Sequence, residues 1–383
     1  MPQFRSLTRR SWLCSGMAAG LAGIGWRAAA KVTRGDRMDR PRAYSVIPVV
    51  GDGRWIWREP PQDERGYLEP RSYKLSIGIQ LEGSGSASDL TSTTTVPVEF
   101  PEQKIDDVQL KTSGCEARLR KLSEGSGQLL LSAAAIEIGQ VVSAVAEYRL
   151  TLFKQYQAYD RERFPVKQQV PIEIRRSYLQ DSPGIQTRSK PVRELAAELT
   201  AKLPTLKHPW DLAKAFADWV PANIRPQIGD YTSVTAALDD RRGDCEEMAG
   251  IFVALCRASG IPARLVWVPN HTWTEFYLVD HDGAAHWVPA HTACYPWFGF
   301  NGAHELVLQK GDRILLPERR KLLRLLPDWT QFSGARPRVS YTAELVPLPP
   351  ESGGDPGPGA RRKDEKGEWG VFGDHPLDRY LRR

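Results

Sequence analysis

Two side chains in this sequence have the type and setting for acyl chemistry at an amide: the thiol of Cys245 and the imidazole of His271. Cys245 follows Gly243 and Asp244, and Ala249, Phe252 and Val253 then mark an apolar helical face. That pattern stops at Ser259-Gly260-Ile261-Pro262, a glycine stop with proline beyond it. Asp244 is a good N-cap, which predicts Cys245 in the first turn of its helix. There the unpaired backbone N–H groups and the macrodipole favour a thiolate. The same N–H groups can hydrogen-bond the oxyanion formed when a thiolate attacks an acyl carbon. Glu246 and Glu247 suit a helix start but oppose a negative sulfur. A thiol in this setting needs a partner base. His271 opens the run HTWTEFYL and is the candidate. Taken singly, a cysteine at a helix start or a histidine before tryptophan is more often packing than chemistry; the order and spacing of the whole set carry the reading.

The elements that must position these residues are legible from periodicity. Helical spacing begins at Pro191 in PVRELAAELTAKL, continues in PWDLAKAFADWVPANI with Leu212, Ala215, Phe216 and Trp219 on one face, and returns from Cys245. Strand-like runs follow: ARLVWV, HTWTEFYLV and, across the polar turn Asp280-His281-Asp282-Gly283, AAHWVPA. Helices followed by an antiparallel sheet make residues 190–346 an α+β unit. Upstream, Tyr73, Leu75, Ile77, Ile79 and Leu81 alternate with polar residues, and so do Val142, Ala144, Ala146, Tyr148, Leu150 and Leu152. Residues 71–175 are therefore expected to form an antiparallel β-sandwich. With no clustered His, Cys or paired carboxylates, that unit reads as a scaffold or recognition module. Residues 31–70 read as an irregular entry segment. Residues 347–383 read as a disordered tail rich in Pro, Gly and charge.

The run G-D-C-x-x-x-A-x-x-F-x-A-L-x-R-A-x-G-I-P-A-R, then H-x-W-x-E, then a downstream tryptophan, resembles the bacterial transglutaminase-like superfamily over roughly residues 190–300. The residues carrying the resemblance are Gly243, Asp244, Cys245, Ala249, Arg257, Gly260, Ile261, Pro262, Arg264, His271, Trp273 and Glu275. The resemblance implies a papain-like α+β fold in which a helix N-terminus faces the end of a strand. It also implies Cys245 as nucleophile and His271 as its base. Family members include protein cross-linking acyltransferases, peptidases, amidases and inactive binding proteins. The family usually completes its triad with Asp in W-x-x-x-D-P-T, but here Trp287-Val288-Pro289-Ala290-His291-Thr292 puts His291 in that place. A third member orients the imidazole by accepting its N–H. A neutral His291 can accept through one ring nitrogen, although a second imidazole can also share the proton. The expected catalytic set is thus Cys245, His271 and His291, with no cofactor. The activity implied is thioester-forming transfer or hydrolysis at a Gln side chain or peptide bond. The alternative is a non-catalytic module that binds peptides or cell-envelope material in the same cleft. Trp273 and Glu275 are expected to shape or brace that cleft, Cys256 to lie in the core, and Tyr231 to be an ordinary buried tyrosine rather than an oxyanion donor.

Composition narrows the partners. The chain has 383 residues, 41% apolar and 26% charged, as expected for globular domains. Residues 1–30 resemble a bacterial twin-arginine signal: Arg9-Arg10, a weakly apolar Gly/Ala-rich stretch, and Ala28-Ala29-Ala30 as a cleavage site. An uncleaved anchor is the alternative. Export to the periplasm or beyond is expected, with no stable membrane span after cleavage. Arg5, Arg9, Arg10 and Arg27 leave with that segment, so the net charge of +6 falls to +2 and a nucleic-acid partner is not implied. The expected partner is a polypeptide or cell-envelope peptide substrate. Cys115, Cys245, Cys256 and Cys294 are irregularly spaced and do not resemble a disulfide scaffold. His281, His286, His291 and Cys294 crowd together, but the spacing of His286 and His291 puts them on opposite faces of a strand. No metal site is implied.

Overall fold

A computed structural model describes residues 56–349, apart from 124, 204–207, 228, 230, 294, 296 and 317–319. The signal-like segment 1–30 lies outside the described residues, as do most of the entry segment and nearly all of the tail. Six antiparallel strands come first: β1 (Gly66–Glu82), β2 (Ala87–Val96), β3 (Gln103–Ser113), β4 (Glu116–Ser123), β5 (Ser126–Ile136) and β6 (Val141–Tyr156). Helices follow: α1 (Ile172–Tyr178), α2 (Lys190–Ala201), α3 (Pro209–Asn223), α4 (Val234–Asp240) and α5 (Cys245–Ala258). Two short parallel strands, β7 (Arg225–Pro226) and β8 (Arg242–Gly243), tie the end of α3 to the approach to α5. Then come β9 (Ala263–Val268), β10 (His271–Val279) and β11 (Ala285–Ala290). After them lie β12 (Phe300–Asn301), β13 (Gln309–Lys310), the hairpin β14 (Ile314–Leu316) with β15 (Lys321–Leu323), and finally β16 (Trp329–Gly334) and β17 (Arg338–Pro347). The fold is α+β: N-terminal antiparallel sheets, then helices packed against a sheet. Among the described residues no helix is long and apolar enough to cross a membrane.

The alternating pattern in β1 and β6 does what period two requires. Leu75, Ile77, Ile79 and Leu81 are buried on one strand, and Val142 through Leu152 at every second position on the other. They pack against Leu90, Leu129, Leu131 and Ile136 of the facing sheet in one core. The first sheet runs β12-β6-β1-β17 with β3 also on β6; the second runs β11-β10-β9-β13-β5-β2-β16 with β4 on β5. Two consequences escape a reading by periodicity. Strands β16 and β17, which by sequence fall within the 190–346 unit, pair with β2 and β1 and extend the N-terminal sheets. Strand β13 pairs with both β9 and β5, so the sheet behind the helices is continuous with one layer of the sandwich.

Helix α5 is the axis of the helical layer. Every residue from Cys245 to Arg257 is buried, enclosed by α2, α3, α4 and the sheet. It ends where expected: Gly260 adopts φ +80°, a left-handed exit that a side chain resists. Arg257, in the last turn, fastens that end. Its Nη2 lies 2.9 and 2.8 Å from the two Asp312 oxygens, and Nε and Nη2 donate to the Ala263 carbonyl at 3.0 and 2.8 Å.

Candidate active site

Asp244 caps α5 as its sequence position predicts. Its Oδ1 accepts from the Glu246 N–H at 2.8 Å, and Glu247 Oε2 accepts from the Asp244 N–H at 3.0 Å, a reciprocal capping box. Glu247 Oε1 also accepts from the Thr232 N–H at 2.9 Å. Gly243 makes room for this arrangement, because a Cβ there would stand 2.6 Å from the Glu247 Cβ. Burial, and then the neighbouring Asp244 carboxylate, push the Glu247 carboxyl up to about 8. Cys245, the first residue of the helix, is 5% exposed and outside any disulfide.

Chain lengths allow His271 to lie opposite this helix start. The 14 residues of α5 span about 21 Å at a rise of about 1.5 Å each. The 6 residues of β9 run back about 20 Å at about 3.3 Å each. Pro269 and Asn270 alone separate the paired residues Val268 and His271, and Asn270 adopts φ +55°, the residue preferences of a type II turn. A strand of that length running back along α5 can reach the level of its N-terminus, and His271 is the first residue after the turn. Strands β9 and β10 both pack on α5.

His291 lies beside His271. Their ring centroids are 6.2 Å apart and the planes differ by 27°, so the rings meet face to face. Trp273 stacks on His291 at 4.9 Å and 12°, and Trp297 meets it edge-on at 5.0 Å and 74°. Tyr295 in turn stacks on Trp297 at 4.4 Å. Within this aromatic enclosure neither His291 nitrogen has a hydrogen-bond partner among the described residues. Burial pushes its pKa down to about 3, so the ring is neutral near pH 7. The structure thus brings His271 and His291 together through their ring faces, with no hydrogen bond from the His291 ring to a described residue.

The other residues singled out by sequence have assignable partners. Glu275 belongs to a buried charge chain: Oε2 receives Arg264 Nε at 2.7 Å, Oε1 receives Lys310 Nζ at 2.6 Å, and Lys310 reaches Glu102 of the sandwich. Burial pushes the Glu275 carboxyl up, but the Arg264 and Lys310 charges outweigh it and hold the pKa below the ordinary value. Arg264 also lies 3.8 Å over the Trp287 ring. Glu275 therefore braces the sheet. Tyr231 donates its hydroxyl to the Gly184 carbonyl at 2.9 Å. Gly184 sits at φ +82° under the tyrosine ring, where a Cβ would come within 2.5 Å of ring carbon Cε1. Cys256 is fully buried in the helix-facing core, which pushes its thiol pKa up. His286 Nε2 lies 2.7 Å from Asp280 Oδ2, at the far end of the β10–β11 hairpin from His271.

Two features carried no usable sequence signal. Glu305 is fully buried beside Trp273, accepts from Asn301 Nδ2 at 2.8 Å, and is pushed up to about 8 chiefly by burial. Arg324 reaches Glu246 next to the cysteine, Nη2 to Oε2 at 3.1 Å. Both come from segments without periodicity or motif.

Residues 193–292 match the model of the transglutaminase-like superfamily. Two curated relatives are peptide-N(4)-(N-acetyl-beta-glucosaminyl)asparagine amidases. The one from Gallus gallus is 38% identical over 66 residues, 17% of this chain and 10% of that protein. The one from Yarrowia lipolytica is 34% identical over 56 residues, 14% of this chain and 16% of that protein. The chain thus spans well under a fifth of either relative's own length. A solved structure from Cytophaga hutchinsonii, provisionally described as a cysteine protease, is 16% identical, with 73% of this chain and 99% of that chain covered at a TM-score of 0.47.

Proposed function

We propose that the protein is a cysteine-dependent amide hydrolase or acyltransferase. The observation that carries this is Cys245 as the first residue of a capped, buried helix on which the strand headed by His271 packs. His271 takes the Cys245 proton, and the sulfur forms a bond to the amide carbon while the carbonyl electron pair moves to oxygen. Helix-start N–H groups stabilise that oxyanion. Its collapse breaks the C–N bond, the leaving amine takes the proton from His271, and a thioester remains. Water or an amine then attacks the thioester carbon and gives its proton to His271; collapse breaks the C–S bond, releases an acid or a new amide, and His271 returns the proton to sulfur. His291 holds the His271 ring in place. The substrate is a peptide bond or a side-chain amide of a polypeptide or cell-envelope peptide. The amidase relatives add the glycosylated Asn side chain to that range. The protein acts after export, directed by the twin-arginine-like segment.

The second reading is a non-catalytic binding module on the same fold. The observation favouring it is the neutral His291 ring, without a hydrogen bond among the described residues, in place of a triad carboxylate. Alkylation of Cys245 by iodoacetamide against pH, followed by mass spectrometry of the Cys245 peptide, separates the two. A working pair labels fast well below the ordinary thiol pKa of about 8.5, and His271→Ala slows it. Cys245→Ser abolishes release of ammonia or amine from Gln-, peptide- and glycosyl-Asn substrates. Labelling that rises only near the ordinary thiol value and ignores His271→Ala establishes the binding module.

A further inference from the structure

The acids beside the nucleophile pose a problem that the tertiary structure resolves in two different ways. A carboxylate within a turn of a thiolate disfavours it by like-charge repulsion. Glu247 is folded into the capping box, where both oxygens accept backbone N–H groups. Glu246 meets a cation. It is 6% exposed on the side chain, and its Oε2 meets Arg324 Nη2.

We propose that Arg324 is a positioning residue for the nucleophile: by pairing with Glu246 it cancels the charge next to Cys245 and so lets the thiolate form. The proposal rests on Cys245 being the nucleophile and deepens that reading.

The placement of Arg324 is over-determined. Its neighbours Leu323 and Leu326 are buried with Ile314 and Leu316 in the hairpin cluster, while Leu325 enters the helix-facing core. Gln309 holds the segment from behind, donating Nε2 to the Arg324 carbonyl at 2.8 Å and accepting from the Leu326 N–H at 3.0 Å. The guanidinium carbon lies 3.4 Å over the Tyr231 ring and 5.7 Å from that of Trp267, so the group is flanked by aromatic faces and is 11% exposed. An exposed ion pair of this kind would be worth little. A buried one costs desolvation that its attraction barely returns, and its retention is explained by what it does for the neighbouring sulfur. Among the described residues, the charged and titratable groups at the helix start include Asp244, Glu246 and Glu247 on its own end, the exposed Arg242 just before it, Tyr231 from the preceding loop and Arg324 from beyond β15. Asp312, further off, is already paired with Arg257. Arg324 is thus a cation held against Glu246, and the competing explanation is a strap fastening the hairpin to the helix.

The pH profile of Cys245 alkylation in the full chain distinguishes charge balance from strapping. Arg324→Gln raises the labelling midpoint by about one pH unit, so labelling at a pH below the midpoint falls roughly tenfold. Glu246→Gln leaves the guanidinium uncompensated and lowers the midpoint. The double variant returns to within a few tenths of a unit of the wild type, and Arg324→Lys keeps most of the wild-type value because it keeps the charge. Midpoints unchanged within about 0.2 unit in Arg324→Gln and Glu246→Gln, whatever happens to thermal stability, overturn the proposal in favour of the strap. If Arg324→Gln does not fold, Glu246→Gln decides alone: a lowered midpoint supports the charge balance and an unmoved one refutes it. A wild-type midpoint at the ordinary thiol value that ignores His271→Ala would instead defeat the nucleophile reading, while the direction of the two charge variants still decides what Arg324 does.

Discussion

At the scale of single residues, the departure at position 291 has a physical form. A carboxylate there would accept the His271 N–H in the plane of the ring. The imidazole that occupies the position meets His271 face to face and is itself clamped between Trp273 and Trp297. Its depressed pKa keeps it uncharged from neutrality down to about 3, so the alkylation profile between those limits reports the Cys245–His271 pair and not His291. If His291 holds His271 by ring contact, His291→Phe keeps the alkylation rate within about threefold, whereas His291→Ala lowers it roughly ten- to hundredfold through misplacement of the base. Equal losses in the two variants would mean that a ring nitrogen, and not the ring face, does the holding. The proposed nucleophile, its proposed base and the histidine at 291 were all picked out from residue types in order. Arg324 was not, because a lone arginine distant in sequence from the cysteine announces no partner.

At the scale of elements, the site depends on the length match between α5 and β9 and on how firmly both ends are fixed. The N-terminal end has its capping box. The C-terminal end has the Arg257–Asp312 pair, 0% and 1% exposed on its side chains, with Arg257 also bonding the Gln180 and Ala263 carbonyls and Ser182 Oγ. Breaking a buried pair by removing one partner strands a charge. Arg257→Ala is therefore expected to cost about 3–5 kcal/mol in chemical denaturation. Replacing both partners together by apolar residues, as in Arg257→Met with Asp312→Leu, should cost clearly less. A loss below about 1 kcal/mol for the single change would show that the pair is no more than a surface-like contact. Helices α2, α3 and α5 and strands β9 to β11 followed from periodicity and stop signals in the sequence. Helices α1 and α4, each 7 residues, did not, since a run that short contains hardly two turns of pattern.

At the scale of the whole molecule, buried titratable groups set how stability depends on pH. His291 and His304 both have pKa values pushed down to about 3 by burial. The stabilisation they permit is full above the unfolded value of about 6.5 and is lost as pH falls towards 3. Glu247 and Glu305 are pushed up to about 8, again chiefly by burial. Their share is full below the unfolded value of about 4.3 and is lost as pH rises through 8. Thermal stability should therefore peak in mild acid, near about pH 5–6, and decline towards pH 8.5. Glu305→Gln replaces the neutral acid by a neutral amide. It should leave the melting temperature at about pH 4 nearly unchanged and raise it by about 3 °C or more at pH 8.5. An equal effect at both pH values would mean that Glu305 is already ionised in the folded protein.

The sequence by itself determined the local features: alternation for strands, 3.6-residue spacing for helices, the Asp244 cap, the Gly260 stop, and the order Cys245, His271, His291. Each of these is written in residues close together along the chain, where sterics and hydrogen bonding act directly. The tertiary structure alone decided that β16 and β17 return to the N-terminal sheets, that β13 joins the two layers, that Glu275 braces the sheet through Lys310, and that Arg324 meets Glu246. These are contacts between distant segments, selected by which buried surfaces fit and which buried charges find partners. No spacing in the sequence encodes that choice.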